Sequence, residues 1–435
     1  MKKIRKRLPA VLLILLAVLF VPGIANAKTK EYQGNLWNFK KTVQKTSGAF
    51  TYYAYPSKNQ KEAWIYKIDL KSGKNCSKLS IPSKLDNKKV TRLGSRETRE
   101  GGEDPFYDIF GFSARPWNVD DYVGGVKYKI DRIKKLEIPN TVKIIQPACF
   151  SNMHSIKAVK IPKSVKTLGK YTFFRCNNLK KVELSAGLNS LDEFAFYNCT
   201  KLTDIRVSSK NKTYQSKGKY LITKKKKELI LAPASKKTLK IPDGIKSIKP
   251  FAFGNCTSAT VHVPASVKKI EGDAFSTPYS SQSVCIKNVT LDDKNSVYAK
   301  DGQCIYNKTD KSLTVAIPDE TGNLYISDQV EKLTSDRGIV GWNVRREILL
   351  KVVYPKNLKT VADYGFIKAE RIYFTGEKPP ELVRIEAEKE NVAPPAFTHV
   401  YVPEGSAEIY RQWYKDHGRY DDIYGFDTFK PEDKI

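Results

Sequence analysis

Apolar residues recur along this chain with a period of 23 residues over 136–207. Ile161, Val165, Leu168, Phe173, Leu179, Val182 and Leu184 make one such set, and Ile138, Val142, Ile145, Phe150 and Ile156 precede it in the same frame. Leu188, Leu191, Phe196 and Leu202 follow. After a break the set returns at Ile241, Ile245, Ile248 and Phe253, then with a period of 22 at Val263, Val267, Ile270 and Phe275. A fixed period in this range predicts stacked supersecondary units. Within a unit, Leu179-x-x-Val182-x-Leu184 alternates as a short strand does. Pro at 139, 162, 242 and 264 stops the strand, because it has no N–H for the ladder. One unit leaves its apolar face open; stacking covers both sides of each and builds a continuous core.

A Cys three residues after the Phe, at 176, 199 and 256, closes the turn. The line Leu-x-x-Val-x-Ile-Pro with a later Ala/Thr-Phe-x-x-Cys-x-x-Leu resembles the BspA-like class of bacterial leucine-rich repeats, strongly over about 135–275 and weakly toward both ends. The resemblance implies a secreted or cell-surface bacterial protein. It implies a leucine-rich repeat solenoid of short parallel β-strands, about 22–23 residues per turn, with an N-terminal β cap, inserted β-hairpins and a C-terminal helical cap. Its structural repeat positions are Phe150, Phe173, Phe196, Phe253 and Phe275, with Cys176, Cys199 and Cys256.

Outside the repeat the chain divides as follows. Residues 1–27 read as a secretory signal peptide: Lys2, Lys3, Arg5, Lys6 and Arg7, an apolar run over 11–21, and the small-residue site Ala25-Asn26-Ala27. That run falls short of the roughly 20 residues a bilayer span needs, so the expectation is cleavage, export and no transmembrane segment thereafter. Residues 28–93 read as the β cap with a first degenerate repeat, because 50–55 and 64–68 alternate around a turn at 56–59 and Leu79-Ser80-Ile81-Pro82 opens a repeat that runs to Leu93. Residues 132–375 are the solenoid, with hairpins inserted near 208–235 and 292–316. Asn211, Tyr214, Gly218 and Leu221 of the first insertion match Asn295, Tyr298, Gly302 and Ile305 of the second, 84 residues on. Residues 376–435 form the C-terminal cap, with a last strand near 400–403 and a helix that opens at Ser406 as N-cap and carries Ile409, Tyr410 and Trp413.

Charge adds a second layer. The net charge of +30 falls to +25 once the five signal-peptide cations are removed. Such a balance favours anionic partners, wall polymers or acidic glycans among them, or a solvated lysine surface that keeps a long solenoid soluble. The lysines are spread through every repeat, which with export argues against nucleic acid. Outward strand positions Glu137, Lys160, Glu183 and Arg206 alternate in sign and predict a cross-strand ladder that leaves this face near neutral. Residues 94–131 interrupt the repeat with the acidic, aromatic residues Asp104, Tyr107, Asp108, Trp117, Asp120, Asp121 and Tyr122. These are the candidate binding residues, for a sugar by stacking or a cation by carboxylates; the alternative is an insertion packed on its own aromatics.

Chemistry is sparse. The four His, at 154, 262, 399 and 417, sit in no triad or metal frame, and neither a Gly-Lys-Ser/Thr phosphate loop nor Gly-x-Ser-x-Gly occurs. No catalysis, cofactor or metal is expected. The seven Cys, at 76, 149, 176, 199, 256, 285 and 304, show no Cys-x-x-Cys spacing and read mainly as buried small residues. Cys176 and Cys199, one coil apart, also admit a disulfide. The reading is a monomeric, secreted binding module that recognises an extracellular protein or glycan, as an adhesin does. The alternative is a structural envelope protein retained electrostatically on anionic wall polymers.

Overall fold

Each coil of the solenoid makes three passes, and two of them are strands. The computed structural model describes residues 37–38, 40–71, 76–94, 132–257, 259–275, 286–334, 349–362, 366–367, 369–383, 398–430 and 433. First-pass strands Ala158–Ile161, Lys181–Leu184 and Asp204–Val207 pair in parallel, with Val159, Val182 and Ile205 in one inward row. Second-pass strands are two residues long, Ile144–Ile145, Thr167–Leu168 and Ser190–Leu191, and also parallel. The third pass is a turn whose backbone still bonds from coil to coil: Phe150 N–H to Thr172 O at 2.8 Å and Phe173 N–H to Ala195 O at 2.8 Å. That path requires left-handed backbone on either side of the Phe, at Tyr171 (φ 57°) and Arg175 (φ 56°), and again at Ala148 and Asn152. Such non-glycine conformations are costly; the inter-coil hydrogen bonds and buried rings offset the cost. The whole forms a parallel β-solenoid of about 11 turns.

The core is a column of equivalent residues. Phe150, Phe173 and Phe196 stack with centroids 5.6 and 5.4 Å apart, and Phe253 stacks on Phe275 at 5.1 Å. Cys176 and Cys199 are thiols. Their Sγ atoms point at the preceding coil, Cys176 donating to the Phe150 carbonyl at 3.3 Å and Cys199 to that of Phe173 at 3.1 Å. Burial pushes the Cys199 pKa well above its ordinary value.

At the N-terminus, β1 (Val43–Ser47), β2 (Phe50–Pro56) and β3 (Glu62–Leu70) form an antiparallel meander. β3 pairs in parallel with Lys88–Leu93, which pairs with Ile144–Ile145, so the cap extends the second-pass sheet and covers its edge. Lys78–Ser80 pairs in parallel with Lys135–Glu137, so the first degenerate repeat stacks directly on the coil that opens at 135.

Each insertion is a three-stranded meander, one strand more than a hairpin: Tyr214–Lys217, Tyr220–Thr223 and Glu228–Leu231, then Tyr298–Asp301, Cys304–Asn307 and Leu313–Ala316. The third strand of the first rejoins the solenoid, Leu229 pairing with Ile248. The shared Asn and Tyr have defined tasks. Asn211 Nδ2 donates to the carbonyls of Ser185 (2.9 Å) and Leu188 (2.8 Å), and its Oδ1 accepts from the N–H of Thr213 (2.9 Å) and Tyr214 (2.8 Å). The Tyr214 hydroxyl accepts from Leu191 N–H at 3.0 Å, the end of a sheet that has no further strand. Asn295 repeats the pattern with Pro264, Val267, Val297 and Tyr298, and the Tyr298 hydroxyl accepts from Ile270 N–H at 2.9 Å.

The last five first-pass strands, Asn323–Tyr325, Leu349–Tyr354, Ala369–Phe374, His399–Pro403 and Gly425–Phe429, form one parallel sheet. Two expectations for the cap are corrected. Helix α1 (Ala407–Asp416) buries Tyr410, Trp413 and Tyr414, at i, i+3 and i+4; Ile409 lies off that face and is 48% exposed. Ser406 is at the N-cap position, but a preceding 3₁₀ turn (Glu404–Ser406) buries it in helical conformation, and its hydroxyl makes no capping bond. The strand after the helix, Gly425–Phe429, also goes beyond the sequence reading, which ended the strands near 403.

Candidate functional site

The sequence-derived candidates Asp104, Tyr107, Asp108, Trp117, Asp120, Asp121 and Tyr122 lie outside the described residues. What the structure places on view is the outward face of the first-pass strands, and it changes character along the solenoid.

In the early coils it is charged. Glu183 sits in register between Lys160 and Arg206, as the alternation predicts. Its ion pair, however, is with Lys181 of its own strand at 2.6 Å, and Arg206 likewise pairs with Asp204 at 2.8 Å. Residues i and i+2 share a strand face, so these ion pairs close along each strand and not across it. Glu137 gathers Lys135 (2.8 Å), Lys78 (2.9 Å) and the Ser80 hydroxyl (2.8 Å), which together hold its carboxyl down at about 2. Strand Lys135–Glu137 does not pair with Ala158–Ile161. A shallow groove of about 540 Å³ opens there, and among its lining residues Lys134, Lys157 and Lys160 carry no ion pair among the described residues.

In the late coils the same face is aromatic. Register places Tyr325, Val353, Tyr373 and Tyr401 in one outward row and Asn323, Lys351, Arg371 and His399 in the next. Between them Leu324, Val352, Ile372 and Val400 point inward and are fully buried. Tyr373 and Tyr401 stack at 4.4 Å with rings 8° apart, and Phe429 closes on Tyr373 at 6.0 Å. Lys351 Nζ lies 4.7 Å from the Tyr325 ring centroid and 5.9 Å from that of Tyr373, a cation held between two π faces. Tyr325 is 40% exposed. Burial, then the neighbouring Tyr401 hydroxyl, push the Tyr373 pKa up. The result is a flat, rigid strip of phenol rings edged by cationic donors. Rings of this kind give contact area at low entropic cost, and Arg and Lys beside them match anionic groups. No group of three or more His, Cys, Asp or Glu able to hold a metal ion occurs among the described residues.

Sequence reasoning missed this strip. The signal was the middle residue of Leu324-Tyr325-Ile326, Ile372-Tyr373-Phe374 and Val400-Tyr401-Val402, aromatic where earlier strands carry Lys or Glu. Tyr325, Tyr373 and Tyr401 are 48 and then 28 residues apart, so no fixed period aligns them.

Residues 126–221 and 232–315 match, in six copies, the family model described as BspA type Leucine rich repeat region. Among solved structures, a leucine rich cell surface protein from Faecalibacterium prausnitzii A2-165 is 14% identical, the alignment covering 90% of this chain and 96% of that one with a TM-score of 0.34. The pneumococcal vaccine antigen PcpA is 12% identical over 91% of this chain and 100% of that one, TM-score 0.34. A leucine rich repeat protein from T. pallidum is 14% identical over 54% and 89%, TM-score 0.28. No curated protein matches the chain. No helix of the described residues is long and apolar enough to cross a membrane.

Proposed function

We propose that this chain, which carries BspA-type leucine-rich repeats over residues 126–221 and 232–315, is an exported surface-binding module of the adhesin type, recognising an extracellular protein or glycoprotein. One observation carries the reading: the outward strand face trades alternating charges for stacked Tyr373 and Tyr401, with Lys351 between Tyr325 and Tyr373. A purely structural solenoid gains nothing from exposing such a strip, whereas aromatic and Arg anchors dominate recognition surfaces. The insertion residues Asp104, Tyr107, Asp108, Trp117, Asp120, Asp121 and Tyr122 are proposed as a second contact region, and 1–27 as a cleaved leader. The test is retention of residues 28–435 on mucin-type glycoprotein at low salt and at about 1 M salt, where screening acts within about 3 Å. Retention that survives salt supports the module; loss of all retention at high salt, or none at either salt, refutes it.

The second reading is a structural envelope protein held on anionic wall polymer. The groove with Lys134, Lys157 and Lys160 favours it. It predicts binding to intact bacterial wall that collapses at high salt and weakens in Lys157→Glu/Lys160→Glu.

A further inference from the structure

Two buried hydrogen-bond donors in the N-terminal cap have no acceptor among the described residues: Arg92 Nη1 and Trp37 Nε1. Arg92 is 7% and Trp37 4% exposed. Both residues line a cavity of about 210 Å³ between the turn at 57–59 and strand Lys88–Leu93. The Arg92 guanidinium carbon lies 4.9 Å from the Trp64 ring centroid and 5.8 Å from that of Trp37. Trp64 gives its own N–H to the Gly94 carbonyl at 2.7 Å.

The neighbouring Glu62 carboxylate acts on Arg92 through space but gives it no hydrogen bond. Glu62 takes Lys143 Nζ at 2.8 Å and the Thr91 hydroxyl at 3.2 Å. With Lys58 and Lys143 also on the wall, the cavity holds three cations against one carboxylate. A buried charge is retained where a counter-charge meets it, so the group this site wants is an anion. The volume corresponds to about seven waters, which limits the ligand to a small molecule. A guanidinium suits a planar carboxylate, whose two oxygens accept at about 2.9 Å, and the indole N–H of Trp37, which lines the same cavity, is a second donor.

We propose that this cavity is a binding site for a small carboxylate, which accepts from Arg92 Nη1 and Trp37 Nε1 and has the Ser57 and Asn59 side chains beside it. Both donor atoms are closed to water. Binding therefore displaces the Trp37 ring, which a β-bridge to Ser57 holds at the edge of the cap, and tryptophan fluorescence reports it. The site is independent of the aromatic strip in the late coils.

The test titrates residues 28–435 with sodium glucuronate and sodium glutamate, a sugar acid and an amino acid, by fluorescence and calorimetry. Glucose and sodium sulfate are the comparison ligands. Saturable binding of either carboxylate, absent with glucose and sulfate, is expected; the tighter of the two identifies the source. Arg92→Met, which keeps the stem, and Trp37→Phe, which keeps a ring and removes only the N–H, each weaken binding roughly tenfold or more. Should Arg92→Met fail to fold, Trp37→Phe decides alone. No saturable binding up to about 10 mM, equal binding of sulfate or glucose, or full affinity in a folded Trp37→Phe overturns the proposal.

Discussion

Replacing Asn211 by Ala removes four hydrogen bonds from a site that is 1% exposed. The Leu188 carbonyl and the Thr213 and Tyr214 amides lose the Asn211 side chain at once, while the Ser185 carbonyl keeps the Leu188 N–H at 3.5 Å. A typical bond contributes about 1 kcal/mol net, and a buried group left unpaired costs about 1–3 kcal/mol. Water entering the vacated space recovers part of this, so a loss of about 3–4 kcal/mol is expected. A solenoid's stability is close to a sum of unit and interface contributions, so the damage is local and a single unfolding free energy does not describe it. Hydrogen exchange by mass spectrometry is the suitable assay. Peptides over 185–191 and 213–231 exchange about 10²–10³ times faster in the variant, since about 1.4 kcal/mol is tenfold, while peptides beyond 320 keep their rates. The chain contains its own replicate, because Asn295→Ala removes the equivalent four bonds with Pro264, Val267, Val297 and Tyr298. It should accelerate 264–270 and 297–316 by a similar factor. A change below about fivefold in either variant, or an effect in only one copy, refutes the assignment of the Asn side chain as the clamp between coil and insertion.

Three further outcomes follow from the geometry. Phe173→Ala, in the middle of the stacked column and fully buried, costs about 3–5 kcal/mol locally and accelerates amide exchange in its own coil; an acceleration worth under about 1 kcal/mol shows that the column is not the core. Glu137 is held at about 2 by Lys135, Lys78 and Ser80, below its ordinary 4.5. A depressed carboxyl contributes stability above its unfolded pKa and loses it as pH falls toward the folded value. Melting temperature should therefore drop between about pH 4.5 and 2, and Glu137→Gln should flatten that limb; an identical limb in the variant contradicts the clamp. Burial raises the thiol of Cys199, and that of Cys304 to about 11, so iodoacetamide at about pH 8 leaves both untouched in the native chain while partly exposed Cys76 reacts. Native labelling of Cys199 at the rate of Cys76 would place it outside the core.

The repeat was legible because burial is periodic: Val159, Val182 and Ile205 must each face inward, and 23 residues return each to the same place. The insertions were legible as copies, since Asn211 and Asn295 keep fixed offsets to Tyr214 and Tyr298. Their task was hidden, because it depends on carbonyls 23–31 residues back that any side chain can carry. Sign alternation located Glu183 between Lys160 and Arg206, but rotamer freedom let it reach Lys181 instead. Ile409 misled because three apolar residues near one turn admit two faces, and only the packing of Tyr410, Trp413 and Tyr414 chooses. The strip at Tyr325, Tyr373 and Tyr401 escaped for want of a period, and strand Gly425–Phe429 because a short segment after a helix, outside the repeat, resembles a tail.

The recognition surface is tested most directly by the affinity of residues 28–435 for mucin-type glycoprotein at about 1 M salt, wild type against Tyr373→Ala/Tyr401→Ala, with Lys157→Glu/Lys160→Glu as the comparison. A loss of roughly tenfold or more in the tyrosine variant, with the lysine variant unchanged, is the expected result. Full affinity in a folded tyrosine variant, or loss confined to the lysine variant, would contradict the placement of recognition on the late-coil face.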